Sequence, residues 1–501
     1  SLSPQIAQVG AGSARIQFNL DFRGSGSATR DPDWVSVLKA CGMQRFDGTK
    51  LAAESLRYFT SIPTTASGGR YIRGESVYGS QTLLGAAWDT AAGNGDGLGT
   101  TPSVGDTFLA FADASSEDRP IASGTIIALS GTTILLRCLD GARIPAQYFI
   151  KANTTASYQK VTTAQPVLMV CDLTYDEGAF TSDLWGWVAQ GTFANSMHII
   201  GGVNGVQATL AAASAVTTSG VGMRPLSEQT VQVTAGAWSG ATPAAGAELI
   251  KQNAPGKWLA AAKVVAVNGS VFTLQVYYGS FALGDTVYDA NTFSAATLSA
   301  GQSAADGPSV TVWDYVDGFL KRGVGMRGSW TIELTAGEQG RIVVDLSGVP
   351  AGVASAPQPS GIFFGATTAP RWESGVADFL GIPLRTRSAQ MGYSTEQVRV
   401  PDANAADGTV EYLIASRTPE LTFVVDRPGN KGWQFEEADR LASWRPAGFR
   451  CGASANNSVS VVVPRMQIRE LRDANESGLL ALRVTARAIG VGGDEVFLFA
   501  R

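Results

Sequence analysis

At 501 residues, 45% of them hydrophobic and 16% charged, the chain has material for roughly three or four domains with buried cores. Its 58 glycines and 21 prolines favour many short strands and turns over long helices. A formal net charge of −5 argues against a surface that holds nucleic acid by broad attraction, which needs clustered Lys and Arg; it leaves room for a passage whose mildly acidic wall repels phosphate.

The first element, Ile16 to Arg23, alternates strictly: Ile16, Phe18, Leu20 and Phe22 face one way, and Gln17, Asn19, Asp21 and Arg23 the other. Asp31 then reads as a helix cap, and Pro32 as the first helical residue, where its missing N–H costs nothing. Trp34, Val37, Leu38 and Cys41 recur at helical spacing, and Gly42 is placed to end the helix.

The middle of the chain repeats itself. Gly85-Ala86-Ala87-Trp88 is echoed by Gly236-Ala237-Trp238, and Thr101-Pro102 with Gly105 by Thr242-Pro243 with Gly246. The run Ile126 to Thr132, with its Ser-Gly turn, is echoed by Val264 to Ser270, with Asn-Gly; each leads into another strand, Ile134 to Cys138 and Phe272 to Tyr278. Two small all-β modules are expected over residues 82–160 and 231–300.

A late hairpin runs from Val310 to Ser347, in which Trp330, Ile332 and Leu334 are answered by Ile342, Val344 and Leu346 across the turn Ala336 to Gly340. Such alternation gives a sheet with one dry and one wet face. Near the C-terminus, Phe435, Ala438, Leu441 and Ala442 share one face of a helix running to Trp444 and stopped by Pro446. A strand from Ser458 to Arg472, a turn over Asp473 to Gly478 and a strand from Leu479 to Ala488 follow. In the last, Leu480, Leu482 and Val484 oppose Arg483, Thr485 and Arg487. Both ends of the chain thus show one plan, a short helix beside a long hairpin.

Residues that carry chemistry are sparse. The single histidine, His198, sits among apolar neighbours without a GxSxG, an HExxH or a second histidine, and reads as structural. Gly93-Asn94-Gly95-Asp96-Gly97 lacks the Lys-Ser/Thr of a phosphate loop and the closing Glu of a calcium loop, and reads as a flexible loop. Cys41, Cys138, Cys171 and Cys451 show no CxxC pair or zinc spacing and read as buried thiols in a reducing compartment. A pair of carboxylates meeting in space, as in a glycosidase, is invisible to sequence. No basic-then-apolar leader and no apolar run of membrane-spanning length is found. The reading is of a non-enzymatic protein with no cofactor and no metal.

Arg23-Gly24-Ser25-Gly26, then Pro32-Asp33-Trp34 and Leu38-Lys39-Ala40-Cys41-Gly42, resembles the N-terminal signature of phage tail tube proteins, in which a strand leads into a helix of the type PxWxxLLxACG. Gly318 to Gly328 followed by Ser329-Trp330-Thr331-Ile332-Glu333-Leu334 resembles that family's central hairpin. Asp402 to Gly408 and the strand Tyr412 to Ser416 resemble its C-terminal module. The likeness covers roughly 1–80 and 305–501, not the inserted modules.

It implies a mainly β fold with a few short helices: two tandem tail-tube β-sandwich or barrel modules, the first carrying two small inserted all-β domains. The expected divisions are 1–81 (first part of tube module 1), 82–160 (inserted domain), 161–230 (connecting β region), 231–300 (second inserted domain), 301–350 (long hairpin), 351–390 (linker or arm) and 391–501 (tube module 2). The implied protein is a virion component, assembled in the host cytoplasm, whose rings stack into a hollow tube for double-stranded DNA. Its expected partners are itself and other tail proteins (tape measure, terminator, distal tail), with no membrane and no specific DNA binding.

Two modules per chain would let three chains make a pseudo-sixfold ring; the rival is a hexamer with a decorating C-terminal region. The wet-face residues Thr331, Glu333, Asp345 and Ser347, with Arg483, Thr485 and Arg487 from the second copy, are the candidate lumen lining. The arginines sit awkwardly in an acidic wall and call for acidic partners or a neighbouring subunit. Ile62 to Tyr78 and Pro350 to Gly361 are candidate arms to the next ring. The alternative is a carbohydrate- or receptor-binding virion protein that uses the inserted modules.

Overall fold

In the computed structural model the alternating N-terminal segment forms strand β1 (Ala14–Asp21), whose burial alternates with its sequence. Helix α1 (Asp33–Ala40) follows. It starts one residue later than the sequence suggests: Pro32 is the N-cap, and Asp31 instead accepts a 2.8 Å hydrogen bond from Arg45 Nε. Gly42, at φ +74°, closes the helix with its N–H on the Lys39 carbonyl.

Strands β2 (Met43–Glu54) and β3 (Ser76–Gly79) lead into six short strands, β4 (Gln81–Thr82), β5 (Thr107–Phe111), β6 (Ala122–Ser130), β7 (Thr133–Cys138), β8 (Phe149–Ala152) and β9 (Tyr158–Lys160). Then come β10 (Val167–Asp176), β11 (Thr181–Gln190), β12 (His198–Gly201), β13 (Gln207–Leu210) and β14 (Val216–Pro225). A second set of six follows: β15 (Thr230–Ala235), β16 (Glu248–Ala254), β17 (Lys257–Asn268), β18 (Val271–Tyr278), β19 (Thr286–Asp289) and β20 (Ala295–Ala304).

The rest of the chain carries β21 (Val310–Val316), β22 (Phe319–Thr335), β23 (Arg341–Ser355), β24 (Val376–Phe379), β25 (Ile382–Pro383), β26 (Thr386–Pro401) and β27 (Thr409–Asp426). Helix α2 (Trp433–Arg440) precedes β28 (Arg445–Cys451), β29 (Val459–Glu476), β30 (Leu479–Ala488) and β31 (Phe497–Ala500). The structure describes all residues except 1–12, 28–29, 55–70, 86–87, 89–99, 112–119, 140–141, 147, 155–156, 177–180, 204, 213–214, 227–229, 245, 255–256, 279, 291, 305–308, 317, 358–366, 373–375, 380–381, 402–408, 427–432, 455, 477–478 and 491–492. The glycine-rich run 93–97 and the segment 402–408 lie outside the described residues, as do most of 62–78 and part of 350–361.

The chain forms two compact units. One comprises Ser1–Phe46, Gly220–Leu226 and Gly307–Arg501, and the other Asp47–Ser219 and Ser227–Asp306. The first is a β-sandwich. One sheet runs β1-β23-β22-β26-β27-β30-β29, each neighbour antiparallel. The other runs β25-β24-β28-β29-β31-β14. Strand β29 serves both: Val459 to Val463 pairs in the second sheet, and Met466 onward pairs with β30 in the first.

The dry faces meet in one core. It holds Trp330, Ile332, Val344, Phe423 and Val484 from the first sheet, and Phe379, Phe449, Val461 and Leu498 from the second. Helix α1 adds Trp34 and Leu38; helix α2 adds Phe435, stacked 4.4 Å from Phe379. Strand β29 continues to Glu476, through residues the sequence suggested as a turn, because its cross-strand partners on β30 extend equally far. Helix α2 stops at Arg440, so Leu441 is exposed and Ala442 adopts φ +47° instead of continuing the apolar face.

The second unit is built from one topology used three times. The closed barrel has the order β15-β18-β17-β16-β19-β20, and the sheet of the first inserted segment has the order β4-β7-β6-β5-β8-β9. A bridge between Leu83 and Val161 joins the latter's first and last strands. Strands β2, β11, β10, β3, β12 and β13 also pair in a closed cycle. Numbered along the chain, every set reads 1-4-3-2-5-6.

The local geometry repeats as well. Gly74, Gly105 and Gly246 precede the second strand of their sets at φ +82°, +97° and +94°. Each donates its N–H, at 2.8 Å, to a third-strand carbonyl, that of Val170, Ile126 or Val264. A bulge follows that residue in each case. A left-handed glycine at the turn and a bulge beside it bend the sheet toward closure.

Candidate functional site

The lumen candidates of both hairpins lie on one face of one continuous sheet, the wet face of the sandwich's seven-stranded sheet. Pairing between β22 and β26 joins the two sets, and there Trp330 stacks on Tyr393 with ring centroids 5.2 Å apart and planes 6° from parallel. Beneath that stack, on the opposite face, one row of cross-strand neighbours reads Asp21, Arg341, Glu333, Gln390, Thr422, Thr485 and Glu470. The next reads Asn19, Val343, Thr331, Gly392, Glu420, Arg487 and Gln467. Glu333 and Thr485 therefore share a row, as do Thr331 and Arg487.

Asp345 and Ser347 lie further along β23, opposite Gln17 and Arg15 of β1. Arg483 lies between Val424 and Arg472.

Acids and arginines interleave across this face. Arg15 Nε donates to Asp345 Oδ1 at 2.9 Å, and that bond, with the carboxylate's charge, pushes the guanidinium pKa further up. Arg341 Nε donates to Glu333 Oε2 at 2.7 Å, and Arg472 pairs with Glu470. Exposed pairs of this kind contribute little to stability. Their effect is to cancel charge locally at these three pairs, while Arg472 and Arg483 face each other across β29 and β30.

Among the described residues β1 is paired along one side only, to β23, and beyond Met466 β29 is paired on one side only, to β30. The sheet thus ends in two open edges.

The second unit holds a cavity of about 240 Å³ where its three six-stranded sets meet, lined by Ser80 and Thr192, by Thr82 and Thr163, and by Gly246 and Glu248. Desolvation pushes the Glu248 carboxyl up to about 7, against the opposing pull of Lys263 and the Ala146 N–H. Lys263 faces Glu248 across β16 and β17 and donates to the carbonyls of Val188 and Ala189, at 3.2 and 3.4 Å. The lining thus sets the hydroxyls of Ser80, Thr82, Thr163 and Thr192 around one carboxylate.

His198 Nδ1 lies 3.1 Å from Thr209 Oγ1, its cross-strand neighbour. The four cysteines are buried thiols outside any disulfide; desolvation pushes Cys41 and Cys138 up to about 12 and Cys451 to about 11, so their thiolates are suppressed. Among the described residues no three His, Cys, Asp or Glu side chains group as metal ligands, and no helix is long and apolar enough to cross a membrane.

Sequence reading placed each candidate on a wet face but missed that β26 fuses the two faces into one. It also missed the third six-stranded set, whose signal was Gly74 in Arg73-Gly74-Glu75, at the position of Gly105 and Gly246. No family model matches the chain, and no curated protein matches it.

Proposed function

We propose that this chain is a structural virion subunit that assembles into stacked rings, forming the hollow tail tube of a long-tailed phage through which DNA passes. The observation that carries the reading is the seven-stranded sheet: one dry face, one charge-balanced wet face and two open edges. A flat edge is a liability in a lone molecule and is relieved when neighbouring copies continue the sheet into a closed wall. The wet face, with Thr331, Glu333, Asp345, Ser347, Arg483, Thr485 and Arg487, then lines the lumen.

Each half of that sheet carries its own helix, α1 against β22 and α2 against β29. We read these as two tube modules in one chain, so that three chains complete a pseudo-sixfold ring. Electron microscopy of purified protein over a concentration series tests both points. Stacked rings with a hollow axis and threefold averages are expected. Sixfold averages with one sheet per chain would remove the trimer. Monodisperse particles at every concentration, even with tail initiator proteins added, would remove the tube and favour a receptor-binding role for the small β modules.

A further inference from the structure

The seven-stranded sheet contains one three-stranded unit twice. In the first, β1 leads into α1 and pairs with β23, which pairs with β22. In the second, β27 leads into α2 and pairs with β30, which pairs with β29. Each helix packs on the last strand of its own unit. Each is also closed in the same way, by a left-handed residue whose N–H returns to the carbonyl three residues back. Gly42, at φ +74°, donates to Lys39, and Ala442, at φ +47°, to Asp439.

Strand β26 is the joint between the units. It is the strand just before β27 in the chain and pairs with it, and its other edge pairs through Ser388 to Tyr393 with Trp330 to Thr335 of β22. The joint covers the last strand of the first unit: Trp330 and Ile332 are buried beside Tyr393 and Met391. The matching positions for a second joint are the free edge of β1 and the free edge of β29 beyond Met466. Ile16, Phe18 and Leu20 of β1 and Leu471 of β29 are only half-buried there, beside the buried Ile342, Val344 and Val484.

Strand direction points the same way. The steps from β1 through β23, β22, β26, β27 and β30 to β29 are six in number and all antiparallel, so the two edges run in the same direction. Copies meeting edge to edge around a ring would pair β29 with β1 in parallel, the less stable pairing, within an otherwise antiparallel sheet. One further strand at each junction makes every step antiparallel. Residues 1–12 stand before β1 as β26 stands before β27. In sequence they offer the turn-forming Gly10-Ala11-Gly12 after the run Pro4 to Val9, with Pro4 suited to a first strand position. That run equals in length the six residues with which β26 meets β22, about 20 Å of strand.

We propose that Pro4 to Val9 is the eighth strand of the wall, pairing along its own β1 and, by its other edge, with β29 of a second copy beyond Met466. The internal precedent of β26 selects the occupant. The junction rests on the self-assembly reading and names the strand that closes each gap between copies.

Hydrogen exchange on the full chain tests it. Amides of residues 4–9 and of Gln467 to Arg472 should exchange more slowly in assemblies than in the unassembled subunit. Ala7→Pro, which removes a ladder donor, should raise the concentration needed for assembly about tenfold or more, with thermal unfolding of the subunit unchanged and Ala7→Val assembling as wild type does. Co-assembled Gln8→Cys and Gln467→Cys chains should be linked by a short bis-maleimide into dimers absent from assemblies of either alone. Wild-type rings in which residues 4–9 gain no protection, with Ala7→Pro assembling normally, overturn the eighth strand and leave the tube reading standing. A wild-type chain that never assembles, even with tail initiator proteins added, overturns both.

Discussion

Arg73 and Asp172 show how much one residue pair can fix. They are 4% and 1% exposed, and the guanidinium meets the carboxylate through Nε at 3.1 Å and Nη2 at 2.9 Å. Arg73 stands directly before the left-handed Gly74, and Asp172 directly after the bulge at Cys171, so the pair clamps the turn to the bulge. The equivalent positions in the other two sets hold Val104 and Ala128, and Ala245 and Ala266, so the clamp belongs to one set alone. Removing one charge strands the other in a low-dielectric site, which costs about 3–5 kcal/mol. Asp172→Asn is therefore expected to lose about that much in chemical denaturation, and Arg73→Met with Asp172→Leu to recover most of it. An Asp172→Asn protein as stable as wild type would contradict the clamp.

At the scale of elements, Glu248 and Lys263 dock β16 and β17 onto their surroundings: the carboxyl accepts from the Ala146 N–H, and the ammonium donates to the end of β11. The folded-state pKa of Glu248, about 7, lies above the ordinary glutamate value of 4.5, so the folded form binds the proton more tightly. Stability from this group is therefore present at low pH and is lost as pH rises from about 4.5 through about 7. Glu248→Gln should flatten that part of the profile and stabilise the protein relative to wild type above pH 7. Denaturation midpoints at pH 5 and pH 8 for both proteins check it, and parallel profiles would contradict it.

Elements were also the scale at which sequence was most legible. The strict alternation of Ile16 to Leu20 and of Trp330 to Leu334 gave their strands, because one-sided burial forces a period of two. The Ser-Gly and Asn-Gly turns located β6–β7 and β17–β18, because left-handed backbone favours glycine. Asp31 was misread because a cap and an ion-pair partner look alike until Arg45 is placed. Leu441 and Ala442 were misread because periodicity records apolar spacing and not whether the fold supplies a cover. The wet-face residues were found, but the fusion of their two faces depends on β22 meeting β26, a pairing between segments some sixty residues apart that no local pattern encodes.

For the whole molecule, charge is the property that bears on function. The net charge is −5, and the arginines of the wet face are interleaved with Asp21, Glu333, Asp345, Glu420 and Glu470. Counterion release, the main source of non-specific DNA affinity, needs an unopposed run of cations. Fluorescence anisotropy with a labelled duplex at near-physiological salt should show no binding by the subunit or by its assemblies. A salt-sensitive complex would mean that the arginines act as a phosphate track and that the wet face holds DNA.

The six-stranded sets have one more consequence. Each begins and ends on neighbouring strands: the Thr162 N–H donates to the Thr82 carbonyl at 2.7 Å, and Val231 faces Ala304. The chain thus enters and leaves β4–β9, and again β15–β20, through gates one strand spacing wide. A tight turn could close either gate, and a foreign domain with adjacent termini could replace what it holds, without rerouting the backbone on either side. The molecule offers two exchange ports, suited to gaining or shedding cargo by single in-frame events in evolution and to displaying a chosen domain by design.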